Sequence, residues 1–292
     1  MKNKNIITHV LMMTLAVCCI VPFLILISSS LTRESILVSE GYGLFPRGFT
    51  LAAYKYVLSG SVGKIFRGYF ISAVVTISGT IISLIITIMF AYPLSRKDLP
   101  FRSFFMFVVF FTMLFNGGLV PSYMMWTQTF HIKNSILALI IPNLMMNAFY
   151  IILMRTYFTT NIPVELLEAG RIDGAREFSI FLKIVLPLSK PMMATIGFMT
   201  ALGYWNDWQN GLYYITDTSL YSIQNILNRM VSDAAYLTSA EGARFAQMSN
   251  IEIPSVGMRM AVAVLGMIPI LIAYPFFQRF LVQGITLGGV KG

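Results

Sequence analysis

NIPVELLEAGRIDGAREFSIFLKIVLP, residues Asn161–Pro187, is the longest charge-bearing interval between the apolar runs of the second half of the chain. Its opening reads as a helix start, with Asn161 as N-cap, Pro163 in the first turn and Glu165 after it. Val164, Leu167 and Ile172 make too short an apolar stripe for a membrane crossing, so the pattern predicts a short helix. Ala169 and Gly170 leave part of its surface bare, and Gly174 suits a terminating turn at positive φ. A short helix with a bare patch, set between membrane spans, is a part for another protein to grip.

Working outward, the rest of the chain is made for a bilayer. Of its 292 residues 57% are hydrophobic and 11% charged, with a mean hydropathy of +0.73. A soluble domain carries about twice that charged fraction. Apolar runs near 9–31, 69–94, 104–126, 135–158, 184–206 and 259–281 are each long enough to cross about 30 Å of hydrocarbon as a helix. Pro187, Lys190 and Pro191 crowd the entrance of the fifth. The expected fold class is all-α: a polytopic membrane protein with six transmembrane helices. No repeat or linker divides the chain, so residues 1–292 are expected to form a single transmembrane domain. The segment 207–258, with Tyr213, Tyr214, Tyr221 and Tyr236, is expected to carry a helix near Ser222–Asp233 and an exposed docking surface.

Short loops set the orientation. Lys2 and Lys4 precede the first span, and Arg96, Lys97 and Arg102 lie between the second and third, against a single Asp98. The next loop has only His131 and Lys133. Positive-inside counting then places both termini in the cytoplasm, interval 159–183 inside, and 32–68 and 207–258 outside. The net charge of +9 fits span ends meeting anionic lipid, and nucleic acid is not an expected partner. Cys18 and Cys19 are adjacent within the first apolar run and read as buried thiols, neither a disulfide nor a metal pair. With two histidines and no carboxylate cluster, no metal site is expected.

The acidic residues fall in loops or at span ends, leaving no ionisable group near the bilayer midplane of the kind an ion-coupled carrier uses. No P-loop is present either. Power must enter from outside, and Asn161–Pro187 is the natural port.

At this stretch the sequence resembles a known family. Glu168-Ala169-Gly170, three residues, Gly174, nine residues and Ile184-Val185-Leu186-Pro187 are similar to the EAA motif of permease subunits of bacterial ATP-binding-cassette (ABC) importers, with Gly170 where the family usually has alanine. Further pieces resemble the carbohydrate-importer branch of the LplC and YtcP type. They are Gly117–Tyr123, Ile162–Leu166, Leu186–Pro191, Trp205–Trp208, Tyr274–Phe280 and Gly289–Gly292. The resemblance implies the type I importer permease fold of six transmembrane helices with a short cytoplasmic coupling helix. It also implies a heterodimer with a second permease, two cytoplasmic ATPase subunits that bind ATP and Mg, and an extracellular solute-binding protein. This chain would hold no cofactor and catalyse nothing. The coupling residues would be Glu165, Glu168, Ala169, Gly170, Asp173 and Gly174, with Glu168 accepting from or pairing with the ATPase groove and Asp173 doing likewise or capping the turn. The plain reading beside it is an exposed Glu168–Arg171 pair at i,i+3.

A second cluster, Tyr204, Trp205, Asn206, Asp207 and Trp208, closes the fifth span. Rings that stack on sugar C–H faces beside hydroxyl-binding Asn and Asp would line a sugar pathway. An interfacial aromatic belt is the competing use. Asn143 and Asn147 would face a polar cavity or hydrogen-bond between helices, the commoner use of such residues. Asn116, beside Gly117-Gly118, reads as a break in the third span with no ligand. The expected function is translocation of an oligosaccharide by alternating access in the plasma membrane. The alternatives are a secondary carrier for a small polar solute and an ABC permease for a non-sugar substrate.

Overall fold

The structure, a computed structural model, describes residues 2–59, 62–237 and 255–289. The side chain of Tyr236 and residues Val290, Lys291 and Gly292 of the family resemblance lie outside this set. Among the described residues the regular elements are helical, and one isolated antiparallel bridge joins Thr32 to Phe49. The chain packs as two compact units, one of Met1–Gly68 and Ile223–Pro269, the other of Tyr69–Ser222 and Ile270–Gly292.

In the first unit α1 (Lys2–Ser30) leads to α2 (Glu34–Glu40) and α3 (Ala52–Ser59). Ser30 Oγ and Tyr54 Oη lie 2.8 Å apart, tying the end of α1 to α3. Glu34 accepts from the backbone N–H of Val256 and of Gly257, both at 2.9 Å. A carboxylate from one end of the sequence thus caps the first turn of the closing helix from the other, where free N–H groups and the helix dipole favour negative charge. The stretch Thr8–Ser30 is apolar enough to span, and its apolar window is unburied, while Ser28, Ser29 and Ser30 at its end are buried. Cys18 and Cys19 accordingly lie exposed on its surface, not buried as expected. The helix expected near Ser222–Asp233 is present as Ile223–Leu237.

In the second unit α4 (Val62–Ser95) contributes its length from Tyr69 onward. It is followed by α5 (Arg102–Leu114), α6 (Leu119–Met124), α7 (Leu137–Ile140), α8 (Ala148–Asn161), α9 (Val164–Ile172) and α10 (Glu177–Ile180). Then come α11 (Leu186–Leu188), α12 (Lys190–Trp205) and α13 (Gln209–Tyr214); α14 (Ile223–Leu237) belongs to the first unit, and α15 (Ser255–Gly289) is divided between the units after Pro269. Among the described residues three helices, Thr8–Ser30, Gly63–Ser95 and Val256–Phe276, are long and apolar enough to cross unbroken.

The other expected spans are interrupted, each for a local reason. The third bends by 110° between Leu114 and Leu119, at the break read from Asn116-Gly117-Gly118. Gly118 sits at φ +83 and Asn116 Oδ1 accepts its N–H at 2.9 Å. The fifth bends by 77° between Leu188 and Lys190. Pro187 has no N–H to give the preceding turn, and the helix widens to π geometry over Phe181–Val185 just before it. The fourth, expected as one helix over 135–158, is instead Leu137–Ile140, an irregular link and Ala148–Asn161. Pro142 lacks a donor, Asn143 takes a left-handed φ of +63, and Asn147 caps the second piece through Phe149 N and Tyr150 N.

One close contact joins α4 to α12. A Cβ on Gly79 would lie 2.5 Å from the Tyr204 ring, whose hydroxyl donates to the Ile140 carbonyl at 2.9 Å. Small residues that let helices approach are the main packing device where lipid removes any hydrophobic drive between them. Gly79→Val should lower stability by about 1–3 kcal/mol through overpacking, and Tyr204→Phe by about 1 kcal/mol through the lost bond. Thermal unfolding in detergent reads both.

Candidate functional site

The short helix α9 begins two residues later than its sequence suggests. Asn161 closes α8, and its Nδ2 donates to Thr160 Oγ1 at 2.8 Å and to the Tyr157 carbonyl at 3.4 Å. Pro163 holds the N-cap position, with φ −59 fitting its ring. The helix ends as expected at Gly174, φ +78. Gly174 N–H donates to the Arg171 carbonyl and Ala175 N–H to the Gly170 carbonyl, both at 3.0 Å. These two bonds make a Schellman cap, which a side chain at position 174 would strain.

The helix has two unlike faces. Leu167 is 2% exposed and joins the core of Ile151, Met154, Phe158, Ile180 and Val185. Gly170 is buried, and a Cβ there would lie 3.2 Å from Ile180 and 3.3 Å from Ile184. Its smallness therefore serves packing within the chain, a correction to the bare outer patch expected at Ala169 and Gly170. Ala169 does remain on the outer surface, with Glu165, Glu168 and Asp173. Beside them Ile172 is 85% exposed. Of the three residues of the short apolar stripe, Val164, Leu167 and Ile172, only Leu167 is buried. The place of Ile172 seven residues after Glu165, on the same helical face, was the available signal.

Charges tie this helix to its neighbours. Arg171 Nε lies 2.6 Å from Glu177 Oε1 and Arg171 Nη2 lies 3.7 Å from Asp98 Oδ2. The Glu168–Arg171 pair of the plain competing reading is not formed. The hydrogen bond to Glu177 pushes the Arg171 pKa further up. Tyr92 Oη donates to Glu177 Oε2 at 3.4 Å, and Arg96 lies over the Tyr92 ring at 4.9 Å. Such exposed ion pairs are worth about 0–1 kcal/mol each, whereas burying a leucine gives about 1.5–3 kcal/mol. Packing holds the helix, and the charges set its angle. Among the described residues Glu165, Glu168 and Asp173 have no ion-pair partner, so the outer face is acidic and unspent.

A second constellation lies beyond the far end of α12. Asp207 Oδ1 accepts from Gln209 N at 3.1 Å and Asn210 N at 3.2 Å, building the turn into α13. Burial raises the Asp207 pKa, while these N–H donors pull it back down. Asn210 is buried and donates through Nδ2 to the Pro142 carbonyl at 3.0 Å. That bond joins α13 to the break in the fourth span, and between them opens a cleft of about 640 Å³ lined by Asn116, Ser122, Asn143, Gln209, Asn210 and Tyr213.

Of the residues singled out in sequence, Asn143 lines this cleft, and Asp207 shapes it from the side. Tyr204 is buried at 3% exposure, a packing residue. Trp205 stacks on Tyr69 with centroids 6.2 Å apart, Asn206 Nδ2 donates back to the Leu202 carbonyl, Asn147 caps α8, and Trp208 is exposed. Asn116, read from the sequence as a break, borders the cleft at that break, and Gln209 and Asn210 line it without having been singled out. The run Asn206-Asp207-Trp208-Gln209-Asn210 carries its polar side chains past the point where the reading stopped. Within 207–258 Tyr214 is buried, 1% exposed, and residues 238–254 lie outside the described set.

Comparison with known proteins places this geometry. A family profile described as binding-protein-dependent transport system inner membrane component matches residues 99–287. The polygalacturonan/rhamnogalacturonan transport system permease protein YtcP of Bacillus subtilis (strain 168) is 36% identical over 294 residues, covering 100% of both chains. Protein LplC of the same organism is 37% identical over 273 residues, 94% of this chain and 90% of its own. Among solved structures, a chain of a bacterial ABC transporter involved in the import of the acidic polysaccharide alginate superposes with a TM-score of 0.77 at 27% identity, covering 96% of this chain and 97% of that one.

The two faces of α9 should answer differently to truncation. Leu167→Ala should cost about 2–5 kcal/mol of stability as a buried leucine loss, while Ile172→Ala should stay within about 0.5 kcal/mol. Thermal unfolding of the purified chain in detergent separates them.

Proposed function

The chain belongs to the family of binding-protein-dependent transport system inner membrane components, and from that premise we propose that it moves a carbohydrate, delivered by an extracellular solute-binding protein, through an importer powered by separate ATPase subunits. It is a membrane-embedded permease subunit of an ABC importer, a class that works with an ATPase and a solute-binding protein. The carbohydrate reading is supported by YtcP, whose name specifies polygalacturonan and rhamnogalacturonan, and by the alginate importer.

The observation that carries the coupling role is the division of α9 into a packed inner face and an unspent outer one. Leu167 and Gly170 join it to the α10 segment that leads into α12, so force on the helix reaches a span without an intervening loop. Glu165, Glu168, Ala169, Ile172 and Asp173 are left for an ATPase groove, with Ile172 as apolar anchor and the acids available to its basic groups. Gly174 ends the lever and its cap keeps the exit angle. The Asp98–Arg171 and Glu177–Tyr92 contacts put the loop bearing Arg96, Lys97 and Arg102 at the same end as α9. Positive-inside counting on that loop supports a cytoplasmic α9 and cytoplasmic termini.

In the mechanism, ATP-driven closure of the paired ATPase subunits moves α9. The α10–α12 segment swings about its bend at Ser189, and the bundle passes between inward- and outward-open states. A second, homologous permease completes the translocation path as a heterodimer. ATP and Mg are held by the ATPase subunits and no covalent chemistry falls to this chain. The bend at Leu188–Lys190 supplies a place where the segment pivots while the helices on either side keep their internal hydrogen bonds.

In the assembled complex Glu168→Arg is expected to abolish binding-protein-stimulated ATP hydrolysis and glycan uptake together, with the chain still inserted at its normal level. Uptake by proteoliposomes at wild-type rate would overturn the coupling role.

A further inference from the structure

Resting on the carbohydrate-importer reading, we propose that the cleft between α6, the broken fourth span and α13 is a binding site for uncharged sugar residues that disfavours uronates. Its volume of about 640 Å³ falls within the roughly 300–1,000 Å³ of small-molecule sites. Among the described residues its polar lining is amide and hydroxyl, from Asn116, Ser122, Asn143, Gln209, Asn210, Tyr213 and Tyr214, with no Lys, Arg, His, Asp or Glu. A side-chain amide offers donors and an acceptor together, as a sugar hydroxyl does, so amides and hydroxyls match one another group for group. A carboxylate only accepts. Removed from water without a cation to meet it, a carboxylate incurs a desolvation cost that amide donors repay in part.

The lining is built, not incidental. Asn210 is 2% exposed and fixed to the Pro142 carbonyl. Asn116 is oriented by accepting from Gly118 N–H, which leaves its two amide N–H donors for a ligand. Asn143 holds a left-handed backbone at φ +63, a conformation in which Asn is among the better tolerated side chains. Asp207, the acid that shapes this region, spends Oδ1 on two backbone N–H groups and does not line the cleft. Lys133 donates to the Tyr123 hydroxyl at 3.4 Å, and Tyr123 stacks on Tyr214 instead of facing the cleft. Tyr213 contributes ring surface of the kind on which sugar C–H faces stack. Two of the similar proteins are named for acidic polysaccharides. The neutral cleft assigns this chain a different preference.

The test is uptake by proteoliposomes holding the whole importer and its binding protein, with neutral galacto-oligosaccharides and oligogalacturonates of matched length. The wild type should favour the neutral glycan. Because the binding protein is constant, a change of preference in a variant comes from this chain. Gln209→Arg should shift the ratio of kcat/KM toward the acidic glycan by about tenfold, the scale of one charge-assisted hydrogen bond, and Gln209→Glu should shift it the opposite way. A wild type that prefers the acidic glycan would overturn the inference while leaving the importer reading standing. So would variants that slow both glycans equally, as a folding defect does. If the wild type takes up neither glycan but does take up a non-sugar solute, the carbohydrate reading falls and this inference falls with it.

Discussion

The contact of α9 with its own chain, Leu167 in the core and Gly170 within van der Waals reach of Ile180 and Ile184, is the constraint on which the rest depends. Without it the nine-residue helix would be an isolated peptide too short to persist in water. With it the helix becomes a rigid projection of the segment leading to α12. A larger residue at 170 would push the helix away from Ile180 by a few tenths of an ångström or more and loosen the joint. The family habit of a small residue here thus has a reason inside the chain as well as at the partner's surface. The ion pairs around Arg171 add little energy, but they make the helix, the 96–102 loop and the α10 turn one body.

The membrane-crossing part follows a related logic. Irregular backbone is tolerated at membrane depth where protein buries it or where it lines a cavity. The breaks at Asn116–Gly118 and Ile141–Asn147 meet that condition by meeting each other. Both border the same cleft, and their carbonyl and amide groups are used by Asn116, Asn210 and Asn147. The break in the fifth span lies nearer α9, at the turn into α12. One set of interruptions therefore makes a polar recess, and the other makes a pivot.

How far this was legible in the sequence depends on whether a residue acts locally. Gly174 was readable because a left-handed helix end needs glycine from its own backbone geometry. The break at Asn116-Gly117-Gly118 was readable for a similar reason, and so were the apolar spans, whose length is set by the bilayer. Asn161 was misplaced because the apolar period of α8 runs through Phe158 to Ile162, and an N-cap residue can equally end the helix before. Gly170 and Arg171 were misread because their partners, Ile180, Ile184, Glu177 and Asp98, come from turns whose approach no local pattern announces. The cleft was half seen. Asn143 stood out as a polar residue in an apolar run, but Gln209 and Asn210 looked like ordinary loop residues until Pro142 was found beside them.

The central claim, that the outer face of α9 is an ATPase contact while its inner face belongs to the chain, is tested most directly by site-specific cross-linking. Single cysteines at Ile172 and Leu167, in a chain with Cys18 and Cys19 replaced by serine, would be placed in the assembled complex and treated with a short bifunctional reagent. The account predicts that Ile172→Cys cross-links to an ATPase subunit and that the bond blocks transport, while Leu167→Cys does not react. Cross-linking from Leu167→Cys and none from Ile172→Cys would contradict it.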